Sequence, residues 1–223
     1  MATSPAVNIF TANTYMNVQE AYNNWSEQYD TNKNRTRDLE AVALQTTLKE
    51  QRFENCLEIG CGTGKNTAWL VTRAAAITAV DLSEAMLAKA VEKIKSGNVQ
   101  FVQANILQDW TFAKSSYELV TFSLVLEHIE NLEAIFKKIA AVTTSGAHVY
   151  IGELHPFKQY TGSKARYETE AGVQVVTCFN HHITDFTDAA ASHGFELLQL
   201  NEFFDNDDRN NIPRILTLLF RKK

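Results

Sequence analysis

Two short stretches of this 223-residue chain combine residue types and spacing that point to chemistry. In Leu57-Glu58-Ile59-Gly60-Cys61-Gly62-Thr63-Gly64-Lys65-Asn66 an apolar run empties into alternating glycines just before a helix. Glycine is needed where backbone bends sharply and a ligand must approach without a Cβ in the way, although a glycine-rich turn alone is a weak signal. In Ala79-Val80-Asp81-Leu82-Ser83 a second apolar run ends in a carboxylate about twenty residues after that turn, the spacing at which an acid meets ribose hydroxyls. The two features together predict a ribose-bearing cofactor. The plainer alternative is an ordinary loop and an acid favoured by a helix N-terminus. Their joint placement at the carboxyl edge of one sheet argues for the cofactor, but dinucleotide-binding proteins share both features.

The surrounding pattern supplies the elements that would position these residues. After a helical prelude through residue 50, with a helix over Thr36 to Glu50, short apolar runs alternate with amphipathic helices. Strands are predicted at Cys56 to Ile59, Ala76 to Val80, Val99 to Val102, Tyr117 to Phe122 and, after a Ser145-Gly146 turn, His148 to Ile151. Helices are predicted from Lys65, over Ser83 to Lys95 and over Leu132 to Thr143. Parallel strands need crossover connections, so this rhythm implies a mostly parallel sheet covered on both faces. From residue 153 to 182 the rhythm breaks into a polar and aromatic insertion with a hairpin around Glu170-Ala171-Gly172 leading into Val173 to Phe179. A helix over Thr184 to His193, closed by Gly194, precedes two strands, Glu196 to Phe203 and Ile215 to Phe220, with no helix between them. The expected fold is α/β: one domain over 1–223 with a Rossmann-like, doubly wound, seven-stranded sheet. It is mostly parallel with an antiparallel C-terminal strand, and divides into a prelude or lid (1–50), a cofactor-binding core (51–152), an acceptor-side insertion (153–182) and a tail (183–223).

At family level, Glu58-x-Gly60-x-Gly62-x-Gly64 followed by Asp81-Leu82-Ser83-x-x-Met86-Leu87 resembles the first two motifs of class I S-adenosylmethionine-dependent methyltransferases of the ubiquinone/menaquinone-biosynthesis or small-molecule type. The resemblance runs over Asn55 to Gly152 and through the tail. A dinucleotide-binding turn wants a third glycine where Lys65 stands. The resemblance implies S-adenosylmethionine as cofactor and S-adenosylhomocysteine as product. It implies that Gly60, Gly62 and Gly64 pass under the methionine part, that Glu58 helps hold its ammonium, that Asp81 accepts from the ribose hydroxyls and that Leu82 packs on the adenine. Asn105 and Ile106 would meet the adenine edge, and Cys61, Met86 and Leu124 complete the implied contacts. The third-strand segment Ala104-Asn105-Ile106 departs from the family by lacking an acid, though an Asn carbonyl can still accept a hydrogen bond there. Ser123-Leu124-Val125-Leu126 is not the Asn/Asp-Pro-Pro-aromatic turn of methyltransferases that act on nucleobase or glutamine nitrogens, which implies a small-molecule acceptor.

Methyl transfer from a sulfonium is in-line displacement, so the protein's task is to hold acceptor and methyl in register. A hydroxyl or ammonium acceptor also needs a base, and imidazole is the usual candidate. His155, His181 and His182 fall at the acceptor edge, as bases or as turn and packing residues. Glu127 and His128 read as the opening of the following helix. Tyr160, Lys164, Arg166 and Tyr167 are candidates for recognising an acidic or aromatic substrate, or form a solvated loop. Tyr15, Tyr22, Trp25 and Tyr29 would cage a sulfonium under a lid or pack on the core.

The net charge of -5, with basic residues spread along the chain, argues against nucleic acid as partner. Three cysteines, no amino-terminal signal pattern and no apolar run of roughly twenty residues predict reduced thiols, no membrane association and a cytoplasmic location. No metal is implied, and a monomer or homodimer is expected. Two other readings are a non-catalytic S-adenosylmethionine-binding protein and an NAD(P)-dependent oxidoreductase.

Overall fold

The computed structural model describes residues 17–113, 116–169 and 172–223. In chain order its elements are α1 (Val18–Tyr29), α2 (Arg35–Leu48), β1 (Phe53–Ile59), α3 (Thr67–Leu70), β2 (Ala74–Asp81), α4 (Glu84–Lys93), β3 (Val99–Gln103), β4 (Tyr117–Ser123), α5 (Leu132–Val142), β5 (Thr143–Leu154), α6 (Pro156–Tyr160), β6 (Arg166–Thr169), β7 (Gly172–Val175), α7 (Ile183–Ser192), β8 (Phe195–Phe203) and β9 (Ile215–Lys222). Seven strands form one sheet in the order β3-β2-β1-β4-β5-β9-β8. β1 to β5 run parallel, and β9 pairs antiparallel with both β5 and β8. The seven-stranded sheet and its antiparallel final strand are as the sequence predicts.

Apolar residues on successive strand positions go to opposite faces, because side chains alternate across a sheet. Cys56, Leu119 and Tyr150 pack with Leu44 and Leu48 of α2, Leu70 of α3 and Leu87 of α4. Leu57, Val120, Phe122, Val149 and Ile151 pack with Phe136 and Ile139 of α5 and Phe186 of α7. A sheet covered on both faces needs this near-continuous apolar pattern. The exposed carboxyl edge is left for a ligand, and the strand order reverses between β1 and β4, the position where open α/β sheets bind ligands.

Local details depart from the sequence reading. The helix expected from Lys65 is only the four-residue α3, since Lys65 and Asn66 still belong to the turn. The Ser145-Gly146 turn lies inside β5: Tyr117 pairs with Thr143 but Leu119 with His148, so Gly146, with φ 79°, sits in a bulge. The hairpin forms between β6 and β7, but its second strand ends at Val175 rather than Phe179, and its turn residues Glu170 and Ala171 lie outside the described residues. Gly194 closes α7 with φ 83°, as a left-handed cap requires.

Candidate active site

The glycine turn is built from its two neighbouring strands. Gly60 and Cys61 donate their amides to Val80 O of β2, at 2.7 and 3.0 Å. Gly62 N donates to Asp81 Oδ2 and Ser83 N to Asp81 Oδ1, both at 2.8 Å. Asp81 therefore pins the turn as well as facing the cavity. Gly60 has φ 73°, and a Cβ there would stand 2.2 Å from Val125 Cγ2. No other residue lets the first and fourth strand ends approach this closely.

That approach frames a cavity of about 400 Å³ between the ends of β1, β2, β3 and β4. Gly60, Gly62, Asp81, Leu82 and Met86 line it, as do Asn105, Ile106 and Leu124. Glu58 and Cys61 face a small recess of about 40 Å³ beside the glycine turn, lined also by Glu40 and Asn66. Gly64 faces neither; a Cβ there would meet Ile94 Cγ1 at 3.1 Å and Ala90 Cβ at 3.3 Å, so it is a packing contact against α4.

The recess is acidic and incompletely paired. Burial pushes the Glu58 carboxyl up to about 8 despite the 2.6 Å hydrogen bond it accepts from Thr67 Oγ1. Burial likewise raises Glu40 to about 7, where Oε1 accepts from Tyr150 Oη at 3.1 Å and Oε2 from Asn66 Nδ2 at 2.9 Å. Asp81 is also raised by burial. Asn66 Oδ1, although buried, has no partner among the described residues. Arg37 and Lys65 also line this recess and Asp81 lines the neighbouring cavity, so Glu40, Glu58 and the orphaned carbonyl are the acceptors the recess offers a buried cation. They suit the ammonium end of an amino-acid-bearing nucleoside.

The turn after β4 is strained and held from behind. Leu124 has φ 58°, a conformation that costs a side chain about 1–2 kcal/mol. Leu124 N donates to Gly152 O at 2.8 Å, and Val125 N and Leu126 N donate to Glu153 Oε1 at 3.0 and 2.7 Å. The Asn105 turn is fixed similarly: Asn105 Oδ1 accepts from Leu107 N at 2.9 Å. Lys138 Nζ of α5 donates to Ile106 O, Leu107 O and Gln108 O at 2.8 to 2.9 Å.

α1 lies across the cavity. Tyr22, Trp25 and Tyr29 recur at helical spacing, and Tyr22 and Tyr29 line the cavity while Trp25 stacks on Tyr167 with ring centroids 5.4 Å apart. Asp30 fastens the end of the helix, accepting from Thr63 Oγ1 of the glycine turn and from Lys93 Nζ of α4, each at 2.6 Å. Tyr15 lies outside the described residues.

The three predicted histidines do not line the cavity. His155 caps α6, accepting from Phe157 N at 3.2 Å on Nδ1, and its Nε2 meets Glu202 Oε1 at 3.0 Å. His181 is buried with Nε2 2.8 Å from Ile129 O, and His182 Nδ1 pairs with Tyr160 Oη at 2.7 Å at the surface. The histidine in the cavity wall, among the described residues, is His128, in the 3-10 turn Leu126–His128. Its Nδ1 lies 2.7 Å from Thr177 O, a group that only accepts, so Nδ1 carries the proton and Nε2 accepts from Tyr22 Oη at 2.9 Å. Glu127, His128 and Cys178 bring possible ligand atoms within 4.8 Å of one another. Burial pushes the Cys178 thiol up to about 12 and raises the Glu127 carboxyl.

A sheet that reverses order beside a glycine turn, with an acid at the end of the second strand, defines a nucleoside-cofactor protein of the doubly wound class. Residues 57–151 match the family described as methyltransferase domain. An uncharacterized methyltransferase of Emericella nidulans is 25% identical over 84% of this chain and 78% of its own length. The ubiquinone biosynthesis O-methyltransferase of Coxiella burnetii is 26% identical over 55% of this chain, spanning only 52% of that enzyme. The structure of DhpI solved with SAM and HEP superposes with a TM-score of 0.73 at 21% identity, over 91% of this chain and 94% of that one. Residues 57–151 thus carry a methyltransferase domain, and the chain shares its fold with these S-adenosylmethionine-dependent methyltransferases.

Proposed function

We propose that the protein transfers the methyl group of S-adenosylmethionine to an oxygen, nitrogen or carbon of a small molecule. The observation that carries this reading is a second cavity of about 450 Å³ that shares Tyr22, Tyr29 and Leu124 with the first. An acceptor there has the end of the cofactor cavity as its neighbour, and the volume suits a small ligand.

When bound, the cofactor supplies a methyl group already activated by a sulfonium. Gly60, Gly62, Glu58 and Asn66 hold its amino-acid end, Asp81 its ribose, and Leu82, Met86, Asn105 and Ile106 its base. Tyr22 and Tyr29 present ring surfaces to a cation and exclude water. Where the acceptor atom bears a proton, Tyr22 Oη accepts its hydrogen bond and passes its own proton to His128 Nε2. This assigns the base to His128 in place of His155, His181 and His182.

No described helix is long and apolar enough to cross a membrane. Cys56, Cys61 and Cys178 are unpaired, which supports a reducing, cytoplasmic setting. We retain monomer or homodimer, with no nucleic-acid partner.

Calorimetric titration tests the core of the reading. S-adenosylmethionine and S-adenosylhomocysteine should bind in the micromolar range and NAD(H) should not. Asp81→Asn should weaken binding while still accepting from one of Gly62 N and Ser83 N, whereas Asp81→Ala removes the acceptor for both. Binding of NAD(H) alone would overturn it, and cofactor binding without turnover across a broad acceptor panel would favour a non-catalytic binder.

A further inference from the structure

The second cavity is cationic although the chain as a whole has a net charge of -5. Lys33, Arg35 and Arg37 reach it from the start of α2, Lys164 and Arg166 from the insertion, and Arg214 from the start of β9. Among the described residues only one carboxyl, that of Glu127, lines it. Arg214 is already matched, donating Nε and Nη2 to Asp205 at 2.6 Å each. Arg37 is held rigidly but not neutralised: its guanidinium donates to Tyr29 O and, at 2.8 Å, to Asn32 O, both uncharged. Among the described residues no carboxylate stands within ion-pair distance of Lys33, Arg35, Arg37 or Arg166.

A further positive contribution comes from the backbone. Asn34 caps the 14-residue α2, and residues Asn34 to Arg37 line the cavity, so the positive end of that helix faces it. Like charges drawn together from three separate segments repel, and such a cluster persists cheaply only if an anion occupies it. Arginines offer a planar fork of donors that matches carboxylate and phosphate oxygens.

We propose that the methyl acceptor carries a carboxylate, phosphate or phosphonate group, and that Lys33, Arg35, Arg37 and Arg166 bind this oxyanion in the cavity adjoining the cofactor. The inference rests on the methyltransferase reading, because it takes the neighbouring cavity as the acceptor's place. Tyr22 and Tyr29 line both cavities and Trp25 stands beside them in the second, so the acceptor's uncharged part would lie against these rings and its oxyanion against the cations.

The test is calorimetry on the full chain saturated with S-adenosylhomocysteine, titrated with benzoate, phenylphosphonate and the neutral benzamide. The two anions should bind, the phosphonate more tightly, with benzamide weaker by about tenfold or more, the difference a charge-assisted pair makes. Added salt should weaken the anions selectively. Arg35→Ala/Arg166→Ala, at two exposed positions, should lower anion affinity by about tenfold or more and leave benzamide unmoved. Lys33→Gln gives a second variant should the first melt early. Equal binding of benzoate and benzamide, no anion binding at millimolar concentration, or anion affinity indifferent to both variants overturns the proposal. Failure of S-adenosylhomocysteine itself to bind instead sinks the methyltransferase reading, so the two failures are distinct.

Discussion

Tyr22 Oη stands 2.9 Å from His128 Nε2, joining residues 106 positions apart where the two cavities meet. Tyr22 belongs to the helix over the site and His128 to the turn that follows the fourth strand. The bond therefore joins α1 to the turn after the fourth strand at the cavity wall. The carbonyl of Thr177 fixes the imidazole tautomer that leaves Nε2 free to accept.

For a hydroxyl or ammonium acceptor, Tyr22→Phe should lower kcat by about a hundredfold, the usual scale of lost acid–base assistance. The S-adenosylhomocysteine Kd should move little, because only the hydroxyl is removed. His128→Asn should lower kcat comparably, and the double variant should be no worse than the poorer single one. A fully active Tyr22→Phe enzyme would exclude the relay.

Cofactor affinity should rise with pH up to about 8. In the free protein burial holds Glu58 protonated up to about 8, and an incoming ammonium requires the carboxylate, so binding releases a proton below that pH. Between about pH 6 and pH 8 the Kd should fall by up to about tenfold per unit, and Glu58→Gln should flatten the profile. The unliganded protein shows the converse. A carboxyl raised from 4.5 to about 8 stabilises the fold below its unfolded value, and that contribution is lost as pH rises through about 8. Glu153 behaves alike, burial having pushed it to about 8. The melting temperature without ligand should drop on the alkaline side, and a flat melting profile would contradict the buried-acid description.

Two glycines of the turn should differ in cost. Gly60→Ala combines a positive φ with a Cβ placed 2.2 Å from the stiff Val125 side chain, and should destabilise by about 2–5 kcal/mol. Gly62→Ala meets no atom within 4 Å, so only its φ of 53° resists, about 1–2 kcal/mol. Denaturant titration of the two variants measures the gap, and equal costs would mean that Val125 yields.

The attachment of α1 should be dominated by Asp30 rather than by its ion pair. Lys93 and Asp30 are 41% and 38% exposed in their side chains, so the pair alone contributes about 0–1 kcal/mol. Asp30→Ala also frees Thr63, and should speed amide exchange along α1 more than Lys93→Met does. Equal effects would assign the fastening to the salt bridge.

The chain's local order determined much of this protein. The βαβ rhythm, the glycine turn, Asp81 and the closing pair of strands are set by neighbours in sequence, through side-chain period and backbone conformation. The element types and the cofactor edge of the sheet were therefore legible. Glu40, Glu153 and Lys138 were not, because each acts on a segment far along the chain and carries no local pattern. His128 was read as a helix opening for the same reason: its partners Tyr22 and Thr177 come from elements on either side. The basic residues, spread along the sequence, gave no sign of a patch beyond Lys164 and Arg166 in the insertion. Only the packing of α2, the insertion and the start of β9 around one cavity brings Lys33, Arg35, Arg37, Lys164, Arg166 and Arg214 together. Charges add in space, not along the chain, so the chemistry of the acceptor wall is a property of the tertiary structure.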